Sequence, residues 1–268
     1  MSFNTPDPNK LLFYDDEKGN KCFNLFPIPF FLSHLDLDEV KDFKSIILED
    51  FYKACADKDE YFKDYHLEKW TNLQPVIEFC KGNGFLFQSR DDLFENEKFD
   101  PLSELILNSF EDYSTFLNLD IQSFCIHSMW YNIYKDSGMN DRHNHPNSFA
   151  SGVIIVQDNL ADNKDIPNFN VYNPLSLNQI IMPRFKDNRP SQYQSYGSNF
   201  VLESGTLIMF PSYLDHSATY NSKDPKRFSE PNSNLNLFND TEDEWRITLA
   251  FNIMIKGEAG VYGSYFEY

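Results

Sequence analysis

The chain has 268 residues, 41 of them Asp or Glu and 23 Lys or Arg, for a net charge of −18 at pH 7. So acidic a chain is repelled by phosphate backbones and anionic lipid, which excludes non-specific binding to nucleic acid or to a membrane surface. No apolar run reaches the roughly 18–20 residues of a membrane span, while 26 Phe and 15 Tyr supply the volume for a sizeable core.

Met1 to Asp16 carries neither a basic start nor an apolar stretch, so no secretion signal is expected. Cys22, Cys55, Cys80 and Cys125 are widely spaced and form no C-x-x-C, the pattern of free thiols in a reducing, cytoplasmic setting. Residues 1–24 are polar and partly extended. In Leu25 to Leu32 two prolines confine any strand to a sheet edge. Asp36 or Asp38 then caps a helix to about Ala56, with Val40, Phe43, Ile46, Ile47 and Phe51 on one buried face. A short helix is expected over Thr71–Cys80, followed by a charged connector from Lys81 to Lys98. The clearest helix has Asp100 as N-cap, Pro101 at its first position and an apolar stripe from Leu102 to Leu117.

After residue 120 the period changes to that of strands. Ile121–Tyr134, Val153–Val156, Phe169–Tyr172, Gly205–Phe210 and Arg246–Ile255 are strand candidates separated by polar turns. Helices first and strands afterwards predict a mainly β, α+β domain, with helices buttressing a sandwich or barrel. Residues 221–244 are polar and aperiodic, which suggests a long surface loop.

Three stretches can carry chemistry. His143 and His145 stand two apart at the mouth of a strand; in an extended chain they share a face and can hold one metal ion, with Asp141 joining them if the extended run starts there. His216, at the start of a returning strand, can complete the site; a surface or hydrogen-bonded core histidine is the bland alternative. In Arg246–Ile253, alternation puts Arg246, Thr248, Ala250 and Asn252 on one face and four apolar residues on the other. The Arg246 guanidinium suits a carboxylate, either a ligand's or that of a structural ion pair. Trp130, Asn132 and Tyr134 share a face that is either core packing or a pocket wall.

Taken together, these stretches resemble the iron(II)/2-oxoglutarate-dependent oxygenases, in the branch of bacterial and phage proteins with an H-x-H-P motif. The matching residues are Trp130-Tyr131-Asn132, His143-Asn144-His145-Pro146-Asn147-Ser148, Ser151-Gly152-Val153, Phe210-Pro211-Ser212-Tyr213-Leu214-Asp215-His216 and Arg246-Ile247-Thr248-Leu249-Ala250-Phe251-Asn252. Leu25-Phe26-Pro27 and Trp70-Thr71-Asn72 look like N-terminal landmarks of the same branch. The resemblance implies a single domain over 1–268, with a mostly helical layer over 1–120 and a double-stranded β-helix, or jelly roll, over 121–268. It implies Fe(II) and 2-oxoglutarate as cofactors, and O2 and a substrate of unknown identity as partners; the oligomeric state stays open, a homodimer included. His143 and His216 match metal ligands, Arg246 the partner of the 2-oxoglutarate 5-carboxylate, Thr248 an assisting hydroxyl, and Asn132 a cofactor-binding position.

The sequence departs from the family pattern twice. His145 stands where the His-x-Asp…His motif has a carboxylate, so the site is three-histidine unless Asp141 or Asp215 supplies an oxygen. Thirty positions separate His216 from Arg246, which makes 221–244 an insertion at the pocket mouth, a lid or a partner contact. A three-histidine dioxygenase of cupin type without 2-oxoglutarate, and a non-catalytic jelly roll, are the competing readings.

Overall fold

A computed structural model describes residues 12–15, 21–23, 28–63, 85–135, 138–158, 168–174, 197–219, 245–259 and 264–266. The helix expected over Thr71–Cys80 and the loop expected over 221–244 lie outside the described residues. Strands β1 (Leu12–Asp15) and β2 (Lys21–Phe23) pair with each other. β3 (Phe31–His34), just past the two prolines, lies at a sheet edge, paired on one side with residues 206–209. Helix α1 (Leu37–Ala56) begins where Asp36 accepts from the Asp38 amide at 2.7 Å. α2 (Asp100–Phe116) is the second long helix.

Two expectations need correction. The stretch Lys81–Lys98 contains strand β4 (Phe85–Gln88), zipped to the main sheet, and the short 3-10 turns Leu93–Glu95 and Glu97–Phe99. Because the second of these runs straight into α2, Asp100 already has helical backbone angles and cannot act as N-cap. Asn96 caps the combined helix start instead, its side chain accepting from the Lys98 amide at 3.1 Å.

The remaining strands are β5 (Ser123–Lys135), β6 (Met139–His143), β7 (Ala150–Gln157), β8 (Phe169–Tyr172), β9 (Gly197–Phe200), β10 (Thr206–Pro211), β11 (His216–Thr219), β12 (Arg246–Ala259) and β13 (Ser264–Phe266). Strands β5 to β12 form nested antiparallel pairs: β8 with β9, β7 with β10, β6 with β11, β5 with β12. This is one long hairpin with β8–β9 at its tip, wound so that β10-β7-β12-β5 run side by side in one sheet and β6-β11-β8-β9 in the other. Nested pairing over two sheets is the jelly roll. β3 and β4 extend the first sheet at its two ends.

The first sheet is buried on both faces, and strict alternation sorts its side chains. Met129, Tyr131 and Ile133, then Ile154 and Val156, Leu207 and Met209, and Ile247, Leu249, Phe251 and Ile253 join a core with α1 and α2. From the helices, Phe43, Ile47 and Phe51 meet Leu102, Ile106 and Phe110 there. The opposite face looks into the jelly roll, where Tyr134, Ile155, Ile208 and Phe210 meet Phe169 and Leu214. A polar clasp fixes α1 to β5: one oxygen of Asp50 accepts from the Tyr61 hydroxyl at 2.6 Å and the Tyr131 hydroxyl at 2.9 Å. Among the described residues, no helix is long and apolar enough to cross a membrane. Cys55 and Cys125 are free and half-buried.

Gly152 lies where β7 passes close to its neighbours. A Cβ there would lie 2.3 Å from the Phe251 ring and 2.5 Å from the Ile208 carbonyl oxygen. Gly152→Ala is expected to cost about 1–3 kcal/mol in urea unfolding. Adding Phe251→Leu restores only part of the loss, because the backbone carbonyl remains in the way.

Candidate metal centre

The inner face of the first sheet carries the two polar rows expected from the sequence, and strand register sets them side by side. Arg246 lies opposite Tyr134, Thr248 opposite Asn132, and Ala250 opposite Trp130. All six line one cavity of about 430 Å³, its mouth included, together with His143, His145, His216 and Asn140. Asn252, on the same row, is a structural residue: its amide accepts from Ser151 Oγ at 2.7 Å and donates to Ser128 Oγ at 2.8 Å.

The three imidazoles come together through the second sheet. β6 and β11 pair so that His143 lies directly opposite His216. Ring centroids are 4.4 Å apart for His143–His216, 5.0 Å for His143–His145 and 5.1 Å for His145–His216. One ligand atom from each ring lies within 4.8 Å of the others, a group that could hold a metal ion. Nδ1 of His143 sits 2.6 Å from the Asp141 carbonyl oxygen and Nδ1 of His216 3.0 Å from that of Leu214. Each Nδ1 must carry the hydrogen to bond a carbonyl, which leaves Nε2 with its lone pair free to ligate.

Electrostatics favour the same state. Burial, then His216 and His143, lower the His145 pKa to about 3. Burial and then His143 lower that of His216 to about 4. Both are therefore neutral near pH 7, as ligation requires.

The two candidate carboxylates stay out of the group. Between the pairs His143–His216 and Asn140–Ala218, two residues of β6 oppose the single Ser217 of β11. This β-bulge turns both Asp141 and Arg142 to the exposed side, so Asp141 does not share the face of His143 as simple alternation predicts. The Asp215 carboxylate instead accepts from Arg142 Nε at 2.9 Å and Asn144 Nδ2 at 2.7 Å, and these bonds, Asn144's first, hold its pKa below the usual carboxylate range. His145 is not placed by alternation either. β6 ends at His143, and His145 follows in irregular backbone, its N–H donating to the Ser212 carbonyl at 2.9 Å and its ring 5.6 Å from that of Trp130.

The opposite end of the cavity is cationic. The Arg246 side chain is fully buried, donates through Nη1 to the Asn168 carbonyl at 2.9 Å, and has its Cζ 5.5 Å from the Tyr134 ring centre. Burial pushes the Tyr134 phenol up, so it keeps its proton, and its oxygen accepts from Asn140 Nδ2 at 3.0 Å. Asn132 is 2% exposed, and its Oδ1 has no hydrogen-bond partner among the described residues. Phe169 and Phe210 wall the space beside His216, with centroids 5.6 and 4.8 Å from its ring. Sequence reasoning assigned no role to Asn140 or to these phenylalanines. Asn140 faces inward only because of the bulge, for which the sequence carries no signal.

Residues 128–231 match the model of a family described as "Putative 2OG-Fe(II) oxygenase". No curated protein matches the sequence. Among solved structures, similarity extends to a prolyl-4-hydroxylase from Pseudomonas putida, at 10% identity over 86% of this chain and 94% of the other, TM-score 0.46. It extends to the alpha ketoglutarate dependent carbocyclase SnoK of nogalamycin biosynthesis, at 12% identity over 90% of each chain, TM-score 0.48. HygX from Streptomyces hygroscopicus, with nickel and 2-oxoglutarate bound, aligns at 10% identity over 90% of this chain and 86% of its own, TM-score 0.43.

The lowered histidine pKa values make a pH prediction. An unfolded histidine binds its proton near pH 6.5, whereas folded His145 and His216 do so only near 3 and 4. The unfolded state therefore binds more protons between those limits, so metal-free protein loses stability as pH falls from about 6.5 toward 4. Each site contributes at most about 1.4 kcal/mol per pH unit, less for His145, which keeps part of its surface exposed. Urea midpoints of chelator-treated protein check this, with His216→Gln expected to flatten the acid side of the profile.

Proposed function

We propose that the protein is an iron(II)- and 2-oxoglutarate-dependent oxygenase, acting through a single domain over residues 1–268 and related to the H-x-H-P branch of bacterial and phage proteins. The observation that carries this reading is one cavity inside the jelly roll with three imidazoles at one end and a buried guanidinium at the other. The family match over residues 128–231 supports it.

In this reading His143, His145 and His216 hold the iron through nitrogens that need shed no proton on binding, at least for His145 and His216. The donor set fits: three neutral imidazoles suit divalent iron and leave positions open for other ligands. Arg246 would take a carboxylate of 2-oxoglutarate with its planar fork, Thr248 would add a hydroxyl, and the buried Asn132 amide opposite Thr248 would offer further hydrogen bonds. Iron(II), 2-oxoglutarate and O2 together supply the oxidising power, with 2-oxoglutarate leaving as succinate and CO2 and the substrate hydroxylated at a C–H bond. The chain's own contribution is placement: Tyr134 holds its phenolic proton beside Arg246, and Trp130, Phe169 and Phe210 keep water from the metal side. The acidic surface argues against a nucleic-acid substrate, and the free thiols Cys55 and Cys125 suit a reducing, cytoplasmic compartment.

One observation favours a second reading. Among the described residues, the group that could hold the metal has no carboxylate, as in a three-histidine dioxygenase that works without 2-oxoglutarate. N-oxalylglycine, a non-reactive 2-oxoglutarate mimic, separates the two, since it competes only at a site that accepts the cosubstrate.

Anaerobic titration with Fe(II) and 2-oxoglutarate is expected to develop the metal-to-ligand charge-transfer band of a chelated 2-oxo acid. His216→Ala abolishes iron binding. Arg246→Ala leaves iron binding in place but weakens 2-oxoglutarate about 100-fold or more, the effect of losing two charge-assisted bonds worth roughly 1.5–3 kcal/mol each. His145→Asp retains iron. Protein that binds neither iron nor 2-oxoglutarate would overturn the proposal.

A further inference from the structure

The strands of the second sheet place His143 and His216, but no ladder places His145. β6 stops at His143 and β7 starts at Ala150, so residues 144–149 cross between the sheets without pairing. This crossing includes Asn147 in a left-handed conformation, φ 75°. Its far end is tied to β12, the Phe149 N–H donating to the Ile253 carbonyl at 2.8 Å, while around His145 and Ser148 it is tied to the turn between β10 and β11, the turn that also delivers His216. The His145 N–H donates to the Ser212 carbonyl at 2.9 Å, and the Ser212 hydroxyl donates back to the Ser148 carbonyl.

The side-chain attachment is Asp215. One carboxylate oxygen takes Arg142 Nε at 2.9 Å and Nη2 at 2.7 Å; the other takes Asn144 Nδ2 at 2.7 Å. Arg142 precedes His143, Asn144 separates His143 from His145, and Asp215 precedes His216. The three partners of this clamp thus flank all three imidazoles while touching none of the ligand nitrogens. Both ends are braced: the Arg142 guanidinium lies 4.4 Å over the Tyr172 ring, and the Asp215 carbonyl accepts from the Tyr172 N–H at 2.8 Å.

We propose that Asp215 is a positioning residue: its carboxylate bolts the segment carrying His143 and His145 to the turn carrying His216, fixing the third imidazole where no strand pairing can. The inference rests on the metal-binding reading above and adds to it a specific role for a residue that is not a ligand. An exposed ion pair by itself contributes little to stability. The value of this one is geometric, since it removes the freedom of a loop whose ring must meet two others at a common point. Outer contacts of this kind typically alter metal affinity 10–100-fold.

The test uses the full chain with Co(II) as a redox-inert spectroscopic probe, in wild type, Asp215→Asn, Arg142→Gln and the double variant. Asp215→Asn is expected to weaken Co(II) at least tenfold and to change its ligand-field absorption as His145 drops out, with the unfolding midpoint of metal-free protein within about 2 °C of wild type. The double variant binds no more weakly than Asp215→Asn alone, because the two residues share one interaction. Imidazole ¹H–¹⁵N correlation spectra of metal-free protein give a second readout: wild type holds His143 as the Nδ1–H tautomer, and Asp215→Asn mixes its tautomers and shifts the His145 signals. Unchanged Co(II) affinity and absorption in Asp215→Asn, or additive losses in the double variant, would overturn the role of Asp215. If wild type takes up no Co(II), the metal-binding reading falls instead. The tautomer spectra then decide the clamp alone, supporting it if they change in Asp215→Asn and overturning it if they do not.

Discussion

The register that sets His143 opposite His216 is the constraint on which the rest of the site depends. It follows from winding one long hairpin into two sheets, so that residues far apart in sequence become cross-strand neighbours. The same winding sets Arg246 opposite Tyr134 and Thr248 opposite Asn132 on the facing sheet. A slip of one residue in either pairing would turn these side chains to the wrong face. What resists such a slip is apolar: Ile247, Leu249, Phe251 and Ile253 lock β12 into the core beneath α1 and α2, and their alternates are thereby committed to the cavity. The helical layer touches none of the cavity residues' chemistry, yet it fixes their direction.

Inside that frame the cavity is divided electrically. One end is a cluster of imidazoles kept neutral by desolvation and mutual repulsion, and the other is a buried guanidinium braced by a backbone carbonyl and an aromatic ring. A ligand that satisfies both ends needs a metal-chelating group and, several ångströms away, an anion. This polarity is what the proposed reading rests on, and it is seen without reference to any relative. It also explains why the wall between them is aromatic and amide rather than charged, since a further charge there would compete with one end or the other.

Much of this was legible in the sequence because it follows from periodicity. Alternation in Arg246–Ile253 and in Trp130–Tyr134 assigned each residue to the correct face, Asp36, one of two candidate caps, starts α1, and the strand beside the proline pair is at an edge. Two of the misreadings share a cause: local irregularity set by tertiary pairing. Asp141 looked like a face-mate of His143, but a single extra residue opposite Ser217 reverses it. Asp100 looked like a cap, but the 3-10 turn before it captures that role for Asn96. β4 hid in a charged connector because its four residues, Phe85 to Gln88, form so short an apolar run among charged and polar neighbours, although their own pattern favours a strand beside β5. The pairing of His143 and His145 was expected for the wrong reason, since the chain leaves the strand between them.

Placing an imidazole at position 145 has opposite consequences for the empty fold and for the loaded centre that we propose. His145 is substantially desolvated and faces Trp130, where a carboxylate would sit without donors and be raised toward protonation. A neutral ring is cheaper there and leaves the metal-free chain less strained. The same neutrality removes one negative charge from the ligand set, so a divalent ion is held less by Coulomb attraction and depends more on three nitrogens already converging. A carboxylate ligand can tolerate a loose loop because charge draws it in; an imidazole on the same loop has far less to draw it. The proposed Asp215 clamp grips that loop at Asn144 and would supply the constraint that the ligand's lost charge no longer provides. The histidine at 145 and the contacts of Asp215 with Arg142 and Asn144 are thereby coupled, and a carboxylate placed at 145 should lessen the site's dependence on Asp215.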